Sequence, residues 1–241
     1  MKLTMERGNG LLEMIIFLPL AMMILFVLTD CAFAMLERAR MSDAVREALR
    51  AQGVLKEVPE VLFLDDALQP AINVEASYSA AQKAADELGA MVLEAKADTA
   101  GFNHTQFRAS ASIVILGIDP ESGSATHIDQ VLTVVSEAGN PTFDLTSMAP
   151  AYNYIPQEEY LNALLEKEST ASPSRFSISL EHKYELNGGP AEQVQYLDRG
   201  ALLYGEVSVL SQAINPMLAE GLLGSMFAVQ EQIAVPIKKV F

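Results

Sequence analysis

One cysteine, Cys31, is all that 241 residues contain, so no intrachain disulfide can form and no cysteine-based metal site can be built. Tryptophan is absent, and the three histidines, His104, His127 and His182, stand apart without the i, i+4 spacing of a metal pair. No phosphate-binding loop, no G-x-G-x-x-G following a strand and no G-x-S-x-G elbow occurs. Asp65-Asp66 and Glu158-Glu159 are adjacent carboxylates, but sequence neighbours point apart on a helix and read as solvated surface. The expectation is therefore a chain that is not an enzyme and takes no cofactor or metal. Basic residues are scarce as well, 16 against 31 acidic ones. Binding of nucleic acid through the surface needs a basic footprint, so no nucleic-acid partner is expected.

The acidity is uneven. Residues 1–40 are balanced, with four basic and four acidic side chains, and the whole net charge of −15 belongs to residues 41–241. The balanced part carries the only long apolar run, Leu11 to Leu36, broken by Glu13, Pro19 and Asp30. As a helix it is about 39 Å long, against a hydrocarbon core of about 30 Å. Glu13 then falls near one face of a bilayer and Asp30 near the other. Two export readings compete with a retained span. One is a cleaved signal ending at Ala32-Phe33-Ala34, for which the run is long and interrupted. The other is a lipoprotein signal ending at Leu28-Thr29-Asp30-Cys31, where Asp30 spoils a position that wants a small residue. The retained span is the favoured reading. Orientation is not given by flanking charge, because Lys2 and Arg7 precede the run and Arg38, Arg40, Arg46 and Arg50 follow it. An ionisable residue inside such a run is a functional candidate by default, at an insertion cost of about 2.5–3.5 kcal/mol for a central Asp, Lys or Arg. That residue is Glu13.

Gly8 followed by a glutamate at the fifth position after it resembles the type IV prepilin cleavage motif. With the short basic leader, Arg7-Gly8, Leu18-Pro19 and Asp30, residues 6–50 are most similar to TadE-like minor pilins, or pseudopilins, of the tight-adherence (Flp-type) pilus. Gly205 to Val209 followed by Pro216 is similar to that family's C-terminal strand and turn. The resemblance implies cleavage between Gly8 and Asn9 by a prepilin peptidase, which makes Glu13 the fifth residue of the mature chain. It implies that Glu13 neutralises the N-terminal amine of a neighbouring subunit, an attraction that is strong in low dielectric. Other pilins and pseudopilins, an inner-membrane assembly platform and the lipid bilayer are the implied partners. Pro19 removes a helix hydrogen bond and clashes with the carbonyl of Ile15, so a kink or local opening is expected there.

Beyond the span, Met35 to Gln52 has strong helix formers and an apolar stripe, Met41, Ala44, Val45, Ala48 and Leu49, before a stop at Gly53. The expected domains are a leader over 1–8, a transmembrane and amphipathic helix over 9–53, and an acidic extracytoplasmic α+β domain over 54–241. Within the last, Val58–Val74 reads as a connector and Glu75–Ala97 as a helix. Gln106–Ile118 has period two, with Phe107, Ala109, Ala111, Ile113 and Ile115 on one face and Arg108, Ser110 and Ser112 on the other. Gln130–Ser136, the stretch around Phe176, Ile178 and Leu180, and Leu202–Leu210 read as strands, the last weakened by Gly205. Pro156–Glu168 reads as a short acidic helix, and Asp119–Gly123 and Asn187–Pro190 as turns. The tail from Val207 to Val229 reads as a strand, a turn and an amphipathic helix rather than a second span. The expected fold is α+β: a long N-terminal helix followed by a pilin-like domain with helices and a small antiparallel sheet.

Overall fold

A computed structural model describes residues 3–53, 62–64, 70–97, 106–149, 152–186, 189–210 and 228–237, with side chains described for only part of the first helix and not for 62–64, 70–71, 95–97, 180–186 and 189–193. The chain is α+β. Helix α1 spans Leu3–Gly53 and contains Pro19. It begins eight residues before the apolar run and passes through Gly8 and Gly10 unbroken, although each glycine costs a helix about 1 kcal/mol relative to alanine. The expected connector contains a small hairpin, β1 (Leu62–Leu64) and β2 (Pro70–Ile72). Helix α2 (Val74–Ala97) follows, where the sequence predicts it. Asn73 caps it, its Oδ1 accepting the Ala76 N–H at 3.0 Å.

Strands β3 (Gln106–Ile118), β4 (Ala125–Val135), β7 (Arg199–Leu210) and β8 (Ala228–Pro236) form one antiparallel sheet in the order β4-β3-β7-β8. Between β4 and β7 lie a single turn, α3 (Leu145–Met148), helix α4 (Gln157–Ser169), and a separate hairpin of β5 (Ser179–Leu186) and β6 (Gly189–Tyr196). The strand expected around Phe176 begins three residues later, at Ser179. Gly205 does not interrupt β7: it sits in an unbroken ladder, opposite Ala111 on one side and Ile233 on the other. The helix expected in the tail falls on 211–227, outside the described residues, but its last two residues, Ala228 and Val229, belong to strand β8. That segment pairs with β7 over its whole length, and the backbone bonds available there override the local apolar pattern.

The sheet is covered on both faces. On one, Ala81, Ala84, Ala85, Leu88 and Val92 of α2 pack on Phe107, Ala109, Ala111, Ile113 and Ile115 of β3 and on Leu203, Val207 and Val209 of β7. This is the face that period two assigns to the core. The three alanines let the helix backbone approach closely. Gly89 continues that approach, since a Cβ there would lie 2.8 Å from Ala138 Cβ. The opposite face, read from sequence as polar, is buried too: Val114, Leu116, Ile118, Leu202 and Tyr204 meet Leu161 of α4 and Phe176, with Tyr160 and Leu164 alongside. Glu168, 4% exposed, fixes the chain leaving α4. It accepts from Ser174 Oγ at 2.8 Å and from the Arg175 N–H at 3.1 Å, and its Oε1 pairs with Arg175 Nε at 2.9 Å. Helix α1 runs against α2 and against β8.

Two substitutions test this packing. Leu88→Ala removes a fully buried side chain and is expected to destabilise the body by about 2–5 kcal/mol, read from the chemical denaturation midpoint. Gly89→Val is expected to cost about 1–3 kcal/mol by forcing α2 away from Ala138.

Candidate functional site

Gly8, Asn9, Glu13 and Pro19 all lie within α1. The side chains of Asn9 and Glu13 lie outside the described ones. Pro19 does not end the helix, which continues to Gly53. The described surface of this region begins at Met14. Every residue from Met14 to Phe26 is exposed, the large apolar ones by about half to two-thirds. Apolar side chains stand on all sides, and a helix of that kind belongs in a protein core or in lipid. The window Met14–Phe33 has a mean hydropathy of 2.4 over 20 residues with only 6% of it buried, so it is not a core helix of this fold. At about 1.5 Å per residue it matches a hydrocarbon core of about 30 Å. It has the length and composition of a membrane anchor or of a signal sequence.

The helix changes environment at Val27. Val27 and Cys31 are half-buried and Asp30 is 3% exposed, while Leu28 and Thr29 remain in the open. Positions 27, 30 and 31 share one helix face. Asp30, expected near the far side of a bilayer, thus turns inward, and its Oδ2 has no hydrogen-bond partner among the described residues.

The second chemical feature is a polar seam on the α4 side of the sheet. Along β7 the apolar pattern gives way to Glu206 and Ser208, 6% and 5% exposed, beside Ser110 and Ser112 of β3. A buried carboxylate needs donors. Glu206 Oε1 accepts from Tyr154 Oη at 3.0 Å, Gln230 Nε2 at 3.0 Å and Ser208 Oγ at 3.3 Å, and Oε2 accepts from Tyr204 Oη at 2.8 Å. Gln230 also binds both backbone groups of Ile155, accepting its N–H at 2.9 Å and donating to its carbonyl at 2.8 Å. Gln232 Nε2 donates to the same carbonyl at 2.8 Å and to Tyr204 Oη at 2.9 Å. Together they strap residues 152–156 across the sheet. Desolvation, then the Glu206 charge, pushes the Tyr154 phenol up to about 12 and raises Tyr204 further. Arg108 opposes this at Tyr154, and its Nε is enclosed without a partner among the described residues.

The histidines are not all isolated, as the sequence suggests. His104 lies outside the described residues. His127 Nε2, however, donates to Asp129 Oδ1 at 3.0 Å, while Arg199 Nε lies 3.4 Å from Asp129 Oδ2. Thr126 Oγ1 stands 2.8 Å from His127 Nδ1. The ring rests over Gly117, where any Cβ would come within 2.3 Å of it. This cluster is open to solvent, at the end of the sheet. Spacing of two along a strand was its only local signal, and Arg199 arrives from a distant strand. Among the described residues no group of three or more His, Cys, Asp or Glu could hold a metal ion. Glu158 and Glu159 are exposed in the first turn of α4, as solvated surface residues would be; Asp65-Asp66 lies outside the described residues.

A groove of about 1110 Å³ runs along the outer face of α2, lined by Val74, Glu75, Tyr78, Asp86, Glu87 and Ala90 among others. No protein-family model, no curated protein and no solved structure matches this chain.

The seam makes a pH prediction. A phenol raised in the folded state contributes stability that is present below its ordinary value near 10 and lost as pH rises through about 12. The urea midpoint of the wild type is expected to fall between pH 10 and 12. Tyr154→Phe is expected to lower the midpoint at neutral pH and to flatten that alkaline loss.

Proposed function

We propose that the chain is a structural subunit of a pilus-assembly system, a minor pilin or pseudopilin of the TadE-like, tight-adherence kind. The observation that carries the reading is the first half of α1: an all-round apolar, outward-facing helix from Met14 to Phe26, preceded by Gly8, Asn9 and Glu13 in prepilin register. In this reading a prepilin peptidase cuts Gly8–Asn9. The helix then holds the protein in the bacterial inner membrane as a single pass, and the acidic, pilin-like body stands outside the cytoplasm. Glu13 guides the helix among other pilins by pairing with a neighbour's new amine. Pro19 removes one backbone bond in the lipid-facing stretch, which packing against other helices tolerates.

Co-expression with a cognate prepilin peptidase, followed by intact-mass measurement, is expected to give a mature chain starting at Asn9. A start at Ala32 or later, or a lipid on Cys31, would overturn the reading. Glu13→Ala is expected to leave the thermal melt of the body unchanged while impairing incorporation into an assembled filament or priming complex.

The groove on α2 favours one other reading, a membrane-tethered binding or sensor module. Glu75, Asp86 and Glu87 outnumber Lys83 in its lining, and beside Val74 and Tyr78 that balance suits a cationic, partly apolar partner. Binding that weakens with added salt and persists when Glu13 is replaced would favour this reading over the first.

A further inference from the structure

The sheet β4-β3-β7-β8 has two edge strands, β4 and β8; α1 packs against β8 and β7, and α2 and α4 pack against β4. Beside β4 no further strand pairs among the described residues. An open edge presents unpaired N–H and C=O groups, and proteins guard such edges with charge, proline or bulges.

β4 guards only its first half. Gln130 stands opposite Ile115 but Ile128 opposite Leu116, so Asp129 is an extra, bulged residue. Thr126 is a second one, between His127 opposite Gly117 and Ala125 opposite Ile118. The His127–Asp129 pair, hydrogen-bonded at 3.0 Å, sits in this half. From Gln130 to Val135 the register is regular, and the sequence Gln-Val-Leu-Thr-Val-Val has no charge, proline or glycine. Gln130, Val131 and Thr133 are exposed, Val131 by 42%. The Ser136 N–H donates to the Ala109 carbonyl at 2.9 Å. Alternation along an antiparallel ladder then turns the backbone groups of Val131, Thr133 and Val135 toward the outer edge.

We propose that β4 pairs with β4 of a second copy of this chain, antiparallel, about a two-fold axis through Thr133. The stretch is complementary to itself in that register. Thr133 meets Thr133, Val131 meets Val135, and Leu132 meets Val134. Apolar β-branched pairs and Thr–Thr pairs are among those that stabilise an antiparallel ladder. An open edge with uncharged, β-rich sequence is also the usual site of strand addition. Charge confines the contact. Beyond Val135, Asp129 of one copy approaches Glu137 of the other, and both copies carry a net charge of −15. The dimer is therefore weak at low ionic strength and strengthens as salt screens the repulsion. A cationic partner on an acidic surface has the opposite salt dependence. The pairing requires neither cleavage at Gly8 nor the carboxylate of Glu13, so it stands or falls apart from the pilin reading.

The test uses the full chain in detergent micelles, which leave copies free to orient. Light scattering of the wild type is expected to show a dimer whose dissociation constant falls as salt is raised. Val131→Lys, at an exposed position, is expected to raise that constant at least about tenfold without lowering the thermal melt. In a Cys31→Ser background, Thr133→Cys is expected to form a disulfide-linked dimer on oxidation. The Cα separation of about 5.5 Å in a hydrogen-bonded pair suits that bond. A wild type that stays monomeric at high salt would overturn the proposal. So would a dimer that Val131→Lys leaves intact, which would place the contact elsewhere, as along α1. A Thr133→Cys chain that fails to cross-link, with a Val131→Cys/Val135→Cys double variant that also fails, would do the same.

Discussion

β3 and β7 are buried on both faces, and the rest of the body answers to that. Their ladder runs without a shift from Gln106 opposite Leu210 to Gly117 opposite Arg199. A strand pair with apolar side chains on each side cannot leave either face to water, so two covers are needed. α2 supplies one and α4 the other. The covers differ in kind. α2 brings alanines and a glycine and sits close over small residues of β3. α4 brings Leu161, Tyr160 and Leu164 over larger ones, with Phe176 closing the end.

The second cover also explains the polar seam. Where the α4 side of the sheet changes from Val114 and Leu202 to Ser110, Glu206 and Ser208, packing alone no longer satisfies the surface. A carboxylate removed from water must be met by donors, and Glu206 is met by four side chains. Two come from its own strand and two from residues 154 and 230. The network therefore joins the loop after α3, the central strand and the last strand into one unit. Gln230, reading both backbone groups of Ile155, acts there as a strand neighbour would.

α1 lives in two settings. From Met14 to Phe26 its side chains face outward all round, and from Val27 one face turns to the body. The turn happens inside the apolar window, not after it, and Asp30 marks it. Asp30, which sequence places near one face of a bilayer, is withdrawn from the surface. The step from exposed to covered side chains is therefore set by contact with the body and not by where the hydropathy falls off.

Local periodicity was readable. The long helix, α2, β3, α4 and the turn at Asp119–Gly123 all declare themselves over a dozen residues or fewer, because helix and strand periods and turn residues act between near neighbours. So did the inward face of β3, from Phe107 to Ile115. The same reading left Ser110 and Ser112 in solvent, because nothing near them in sequence announces α4. It missed β6 and β8, which hold as strands through partners and not through a pattern of their own. It passed over Glu206 as an ordinary strand residue and His127 as a lone histidine. Sequence by itself determined the long helix, α2, β3, α4 and the strand at Leu202–Leu210, and where the apolar front of α1 lies. Tertiary structure alone decided the strand order, the second buried face, the partners of Glu206 and Asp129, and the burial of Asp30. Those depend on groups tens of residues apart, whose meeting is set by chain topology and not by any local repeat.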